Sequence, residues 1–155
     1  MGLRDRITET ARLRAWEGRI GVSFRYTAGA AGERFFQTLR RRGTFAVTRC
    51  PECGTTYLPP RLYCPKDFQD LADHWMEVPP RGVVHTFTGL HHDLDGRPMT
   101  RPRLIGFVQI EDTDGGLVAP LALDPATVHI GRHVSAVLRP QRQRRGVIED
   151  ILHFR

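Results

Sequence analysis

Cys50-Pro51-Glu52-Cys53-Gly54, answered downstream by Cys64-Pro65-Lys66-Asp67, is the stretch that decides the fold. Two thiolates two residues apart can grip one ion from a tight turn, and a tetrahedral zinc site draws its ligands from two such turns. The first turn is a complete zinc knuckle. The second repeats it with aspartate where the last cysteine would stand. Three outcomes fit this spacing: Asp67 supplies a carboxylate as fourth ligand, His74 reaches back with an imidazole, or the centre is degenerate and empty. A module of this size makes too little core to fold unaided, so Cys50, Cys53 and Cys64 read as a folding staple for one Zn2+ per chain. A catalytic zinc would need an open coordination position, which ribbon sites normally lack.

Upstream of the knuckle, Thr44 to Arg49 reads as a strand, and Ala31 to Arg42 as a helix burying Phe35, Phe36 and Leu39. Gly43 stops that helix. Arg40, Arg41 and Arg42 fall in its last turn, where cations suit the helix dipole; a phosphate clamp is the alternative use. Leu3, Ile7 and Ala11 recur every four residues and predict a first, solvated helix ending near Trp16. Ile20 to Tyr26 alternates and reads as extended.

Downstream, Tyr57-Leu58-Pro59-Pro60-Arg61 links the two turns, and Leu71 to Val78 leaves the module as a strand. Pro79-Pro80 is the clearest boundary in the chain. Beyond it the apolar period becomes two. Val83 to Leu90, with Val83, His85 and Phe87 on one face, Leu104 to Glu111, Leu117 to Leu123, His133 to Leu138 and Val147 to Phe154 make five strands. Asp112-Thr113-Asp114-Gly115-Gly116 is a hairpin turn, and Asp124 to Val128 is a short helical turn between the third and fourth strands. That order is the order of an OB-type barrel. The fold class is therefore mainly β with N-terminal helices, a rubredoxin-like zinc ribbon followed by a five-stranded OB-fold barrel. The expected divisions are 1–43 helical segment, 44–78 ribbon and 79–155 barrel.

The 155 residues carry a net charge of +6, and Lys66 is the one lysine among 23 basic residues. Anionic partners are compatible with that charge. Three cysteines cannot form a closed disulfide framework, and the charged start has no secretory pattern, so the expected setting is the reducing cytoplasm, with no membrane contact. His91-His92-Asp93-Leu94-Asp95-Gly96 carries turn chemistry and reads as an exposed loop tip. Arg139 to Arg145, joining the last two strands, reads as a solvated turn; it is also the best argument for a rival reading, a single-stranded nucleic-acid-binding module. Against it, Phe87, Phe107 and Phe154 lie where alternation buries them rather than exposing rings for base stacking. No nucleophile elbow, phosphate-binding glycine loop or paired carboxylates stand out, so no catalytic residue is assigned.

The helix with Phe35-Phe36 and Leu39, then Cys50-Pro-x-Cys53-Gly54, Leu58-Pro59-Pro60-Arg61, Cys64-Pro65, Trp75-x-x-Val78 and Gly82-x-Val84-x-Thr86-Phe87-Thr88, with Ile130-Gly131 before Val134, together resemble a known family. It is the zinc-ribbon and OB-fold proteins of acyl-CoA metabolism that accompany thiolase-like enzymes. Arg25-Tyr26-Thr27-x-Gly29-x-x-Gly32 is similar to the lead-in of members that pair with thiolase-type subunits. The resemblance covers residues 30–155. It implies a non-catalytic accessory subunit of a hetero-oligomer, bound to a thiolase-like or lipid-transfer-protein-like partner and helping to hold or enclose acyl-CoA. Such partners include thiolases, acyltransferases and side-chain aldolases of lipid, aromatic or steroid degradation. Asp67 departs from the four-cysteine pattern. Arg61, Arg97 and Arg103, on expected loops, are the candidates for coenzyme A or partner contact.

Overall fold

The structure, a computed structural model, describes residue 18 and residues 21–93 and 95–155. The first expected helix, Leu3 to Trp16, lies outside them. Residues 21–28 form no helix or strand, and this part of the stretch ending at Tyr26 pairs with no strand among the described residues. Val22, Phe24 and Tyr26 on it are exposed, with the Phe24 and Tyr26 rings 6.0 Å apart.

Helix α1 spans Gly29–Arg42 and buries Phe35 and Leu39, four residues apart on one face. Gly43 ends it in the left-handed conformation, φ 75°, donating its N–H to the carbonyls of Thr38 and Leu39. A Cβ there would also lie 2.8 Å from the Arg144 guanidinium, which would have to shift.

Three strands follow, β1 (Phe45–Arg49), β2 (Thr56–Tyr57) and β3 (Trp75–Val78), in the antiparallel order β2-β1-β3. Helix α1 is fastened to β3 by Arg34, whose guanidinium lies 4.3 Å over the Trp75 ring, and by Arg42, which donates to Glu77 at 2.6 Å. Of the three arginines in the last turn, Arg42 thus has a protein partner, Glu77.

After Pro79 and Pro80 come β4 (Arg81–His92), β5 (Pro98–Ile110), β6 (Gly116–Pro120), β7 (His133–Leu138) and β8 (Ile151–Phe154). They form one five-stranded sheet in the order β6-β5-β4-β7-β8, each neighbour antiparallel. The sheet curls until its edges touch but does not close: a single parallel bridge joins Leu121 to Phe154, with Ala122 N–H donating to the Phe154 carbonyl at 2.8 Å. One expectation changes here. Val83, His85 and Phe87 do not share one face. Val84 is the fully buried residue, and a register shift between Val84 and Thr86 inverts the alternation, so that Phe87 packs on the core while His85 meets Phe107 edge-on. Residues 124–128 form the expected short helical turn: Val128 N–H donates to the Asp124 carbonyl at 3.0 Å, and the Asp124 carboxylate accepts the Ala126 N–H.

The hydrophobic core does not divide at the prolines. Phe35 and Leu39 of α1, Phe45 and Val47 of β1, Leu58 and Val78 belong to the same buried cluster as Val84, Val108, Ile110, Val134, Ile151 and Phe154. A polar joint reinforces it. The β5–β6 turn lies against the ribbon: Asp114 N–H donates to the Thr56 carbonyl at 2.9 Å, and Thr56 N–H donates to the Asp114 carboxylate at 2.8 Å. Gly115 fits because it has no side chain; a Cβ there would lie 2.0 Å from the Leu58 carbonyl oxygen.

Candidate metal centre

The two cysteine turns have the same hydrogen-bond skeleton. In the first, Cys50 N–H donates to Thr55 O at 2.9 Å and Gly54 N–H to Cys50 O at 3.0 Å. In the second, Cys64 N–H donates to Gln69 O and Phe68 N–H to Cys64 O, both at 2.9 Å. Each turn needs a left-handed residue at the equivalent place. The first uses Gly54, φ 71°; the second uses Phe68, φ 62°, which a bulky residue adopts reluctantly. The Asp67 carboxylate supports this second turn by accepting the Gln69 N–H at 3.1 Å.

These turns face each other and bring Cys50, Cys53, Cys64 and Asp67 together, one donor atom from each lying within 4.8 Å of all the others. Cys53 Sγ is 3.6 Å from Cys64 Sγ, and Cys50 Sγ is 3.2 Å from Asp67 Oδ2. A tetrahedron with Zn–S bonds of about 2.3 Å has S···S edges of about 3.8 Å, with shorter edges to oxygen, so the donor set fits a tetrahedral ion of this kind. His74 is not in the cluster. It is exposed on the loop before β3, where its N–H donates to the Leu71 carbonyl.

Cys50 and Cys64 are fully buried, and Cys53 is exposed. Burial, followed by the Asp67 contact, raises the Cys50 thiol to about 11, although backbone N–H groups of Cys53 and Glu52 oppose the rise. The Thr55 hydroxyl, then the Thr55 backbone, lower Cys53 to about 7. The thiols, Cys64 first, hold the Asp67 carboxyl at about 2 against its partial burial. Cys50 therefore keeps its proton near neutral pH, Cys53 gives its proton up readily, and the Asp67 carboxylate stays charged. A metal entering this site would release thiol protons, and its retention falls as acid returns them.

Sequence reasoning missed the surroundings of the cluster. The Tyr57 hydroxyl is 3.1 Å from Cys64 Sγ, and the tyrosine is held well above its ordinary pKa by that hydrogen bond and by burial. Lys66 Nζ is 2.8 Å from Thr55 Oγ1, which is 3.3 Å from Cys53 Sγ. Nothing in a Cys-x-x-Cys pattern points to residues 55, 57 and 66. Only the facing of the two turns brings them in.

The three candidate contact arginines do not converge. Arg61 is exposed beside the ribbon, its guanidinium 5.5 Å over the Tyr57 ring. Arg97 is exposed at the β4–β5 tip, 3.5 Å from Asp95. Arg103 is on strand β5 rather than a loop, and it borders an open, mainly apolar groove of about 310 Å³ over the unclosed β6–β8 seam, with Val118, Ile148 and Leu152. The Arg139–Arg145 segment is not simply a solvated turn. Arg144 donates to Arg139 O and to Leu39 O at the end of α1, and Gln141 donates to Arg41 O. The buried Asp150 carboxylate accepts the N–H groups of Arg145, Gly146 and Val147.

Two family models match, in chain order. One is described as the ChsH2 rubredoxin-like zinc ribbon domain and matches residues 38–70; the other, the ChsH2 C-terminal OB-fold domain, matches residues 75–139. The chain belongs to this ChsH2 zinc-ribbon and OB-fold family. Among curated relatives, a DUF35 domain-containing scaffold protein of Methanocaldococcus jannaschii is 28% identical over 108 residues, covering 68% of this chain and 75% of the relative. A second scaffold protein of that description, from Methanothermobacter thermautotrophicus, is 21% identical over 110 residues, covering 71% and 83%. Of solved structures, a DUF35-family protein of unknown function from Sulfolobus solfataricus superposes with a TM-score of 0.60 at 24% identity, covering 70% of this chain and 78% of that one. A chain of the Ltp2-ChsH2(DUF35) aldolase does so with a TM-score of 0.56 at 21% identity, covering 76% and 90%. At those identities the two structures speak for the shared fold.

Proposed function

We propose that this chain is a non-catalytic accessory subunit: a ribbon stapled by one Zn2+ on Cys50, Cys53, Cys64 and Asp67, fused to an OB sheet, that docks on a thiolase-superfamily or lipid-transfer-protein-like enzyme and helps enclose its acyl-CoA. The observation that carries the reading is apolar surface left over after the core is filled. Val22, Phe24 and Tyr26 are exposed on a segment that pairs with no strand among the described residues, and Val118, Ile148 and Leu152 are exposed around the seam groove. Large apolar side chains grouped on a surface mark contact with another protein or an apolar ligand. Two curated relatives bear the description of scaffold proteins, and one structural neighbour is a subunit of an aldolase complex; both agree with a part in a hetero-oligomer.

A subunit of this kind contributes no nucleophile. It excludes water from a thioester site and so strengthens the electrostatics there. The net charge of +6 favours the phosphates of coenzyme A at long range. The metal would be structural, tying two turns whose own apolar cluster is small. Three free thiols suit a reducing, cytoplasmic setting. Among the described residues no helix is long and apolar enough to cross a membrane. The nucleic-acid reading loses ground because two of its four loop arginines are turned inward, Arg144 to the end of α1 and Arg139 to Asp150.

Co-expression with a thiolase-like protein encoded beside this chain is the test. The expected result is one complex on gel filtration, weakened by the Val118→Asp/Leu152→Asp pair. Two separate peaks at micromolar concentration, with no change in the partner's activity, would refute the reading.

A further inference from the structure

We infer that Tyr57 and the Thr55–Lys66 pair form an outer hydrogen-bonded shell that keeps the metal in the three-thiolate, one-carboxylate centre, Tyr57 acting on Cys64 and Lys66 acting through Thr55 on Cys53. The inference rests on the reading of the four-residue cluster as a metal centre.

Three thiolates and a carboxylate around a dication leave two net negative charges in a small volume. Each hydrogen bond donated to a ligand sulfur draws off electron density, reduces the mutual repulsion and makes that sulfur harder to reprotonate. Cys53 and Cys64 have side-chain partners, Thr55 and Tyr57.

The directions of these bonds follow from chemistry. A metal-bound thiolate has no proton to give, so across the 3.1 Å between Tyr57 Oη and Cys64 Sγ the phenol donates. Ammonium groups only donate, so across the 2.8 Å between Lys66 Nζ and Thr55 Oγ1 the lysine donates and the hydroxyl accepts. The threonine proton is thereby directed away from Lys66 and toward Cys53 Sγ, 3.3 Å off. The chain Lys66 to Thr55 to Cys53 carries positive charge toward the one exposed thiol of the set, where water and chelators have access.

Tyr57 is held for its task. It is half-buried on β2, packs against Cys50, Cys64 and Leu71, and has the Arg61 guanidinium over its ring. Arg61 thus acquires a role as a clamp on that ring. Lys66 is the only lysine in a chain otherwise supplied with arginine, and a compact ammonium suits a single hydroxyl where a planar fork does not.

The experiment loads full-length protein with Co2+, records the thiolate-to-cobalt charge-transfer band, and then times metal loss to excess chelator. Tyr57→Phe and Thr55→Val keep shape and remove one donor each. Either is expected to speed metal loss, or weaken retention, by roughly 10-fold or more, and to move the charge-transfer band to lower energy as the sulfur becomes more electron-rich. Lys66→Met is expected to act more weakly, to fade in high salt, and to add nothing on a Thr55→Val background. Unchanged bands and loss rates in Tyr57→Phe and Thr55→Val, in a wild type that binds cobalt normally, would overturn the shell while leaving the metal centre standing. A Lys66→Met effect undiminished on Thr55→Val would overturn the relay. A wild type that takes up no cobalt would overturn the metal reading and the shell together.

Discussion

Replacing Gly115 with alanine tests whether the ribbon and the OB sheet are one cooperative unit. Gly115 has no left-handed backbone, so the substitution leaves local conformation alone and acts only through space. The added Cβ would lie 2.0 Å from the Leu58 carbonyl oxygen and 2.9 Å from its carbon, both backbone atoms that cannot swing aside. The turn must lift off the linker, and the two hydrogen bonds between Asp114 and Thr56 go with it. One of these is charge-assisted and one neutral, so their loss costs about 2–4 kcal/mol in total. In a chain of this size that corresponds to a fall of about 4–16 °C in Tm. Calorimetry on wild type, Gly115→Ala, Asp114→Ala and the double variant reads it directly. Because both changes act on one joint, the double variant should lose less than the sum of the two single losses. A Gly115→Ala protein within 0.5 kcal/mol of wild type, or strictly additive losses, would refute the argument that this turn fastens the two sheets.

Three further outcomes are expected. Asp67→Ala should release metal to a chelator faster than wild type while His74→Ala behaves like wild type; the opposite pattern would move the fourth ligand to His74. Asp150 should make stability fall in acid. Burial alone would raise its pKa, but the N–H groups of Arg145, Gly146 and Val147 and the nearby Arg139 charge outweigh burial and lower it. A carboxyl depressed in the folded state contributes stability above its unfolded pKa and loses that contribution as pH falls through the folded value. Denaturant melts of Asp150→Asn should accordingly depend less on pH below about 4 than those of wild type; equal slopes would contradict the assignment. Arg144→Ala should loosen the end of α1, seen as faster amide exchange at Gly43, since it removes the guanidinium that donates to Leu39 O.

Most of the architecture was legible because its signals are local. The knuckle spacing, the Gly43 stop, the change of apolar period after Pro79-Pro80 and the Asp-Gly turn each rest on a few adjacent residues. What escaped depends on approach in space. The alternation from Val83 to Phe87 misled because a bulge inverts it after Val84, and a bulge leaves no mark in side-chain type. Pro79-Pro80 separates the two sheets without separating their core, since Phe45 and Val78 pack with Val84 and Phe154. The arginine run from 139 to 145 reads in sequence as a solvated turn; its Arg144 is used on a helix end 105 residues upstream in the chain, a pairing no motif encodes. At the candidate metal centre the grouping of the three cysteines and Asp67 was readable from spacing, whereas Tyr57, Thr55, Lys66 and the left-handed Phe68 required the two turns to be placed face to face.

The most direct test of the accessory-subunit account is the native mass of the assembly that this chain forms when purified from its own cells, with each component identified. The account predicts a stoichiometric hetero-oligomer with a thiolase-superfamily or lipid-transfer-protein-like subunit, and one zinc for each copy of this chain. A free chain that turns over an acyl-CoA by itself, or one recovered without such a subunit, would contradict it.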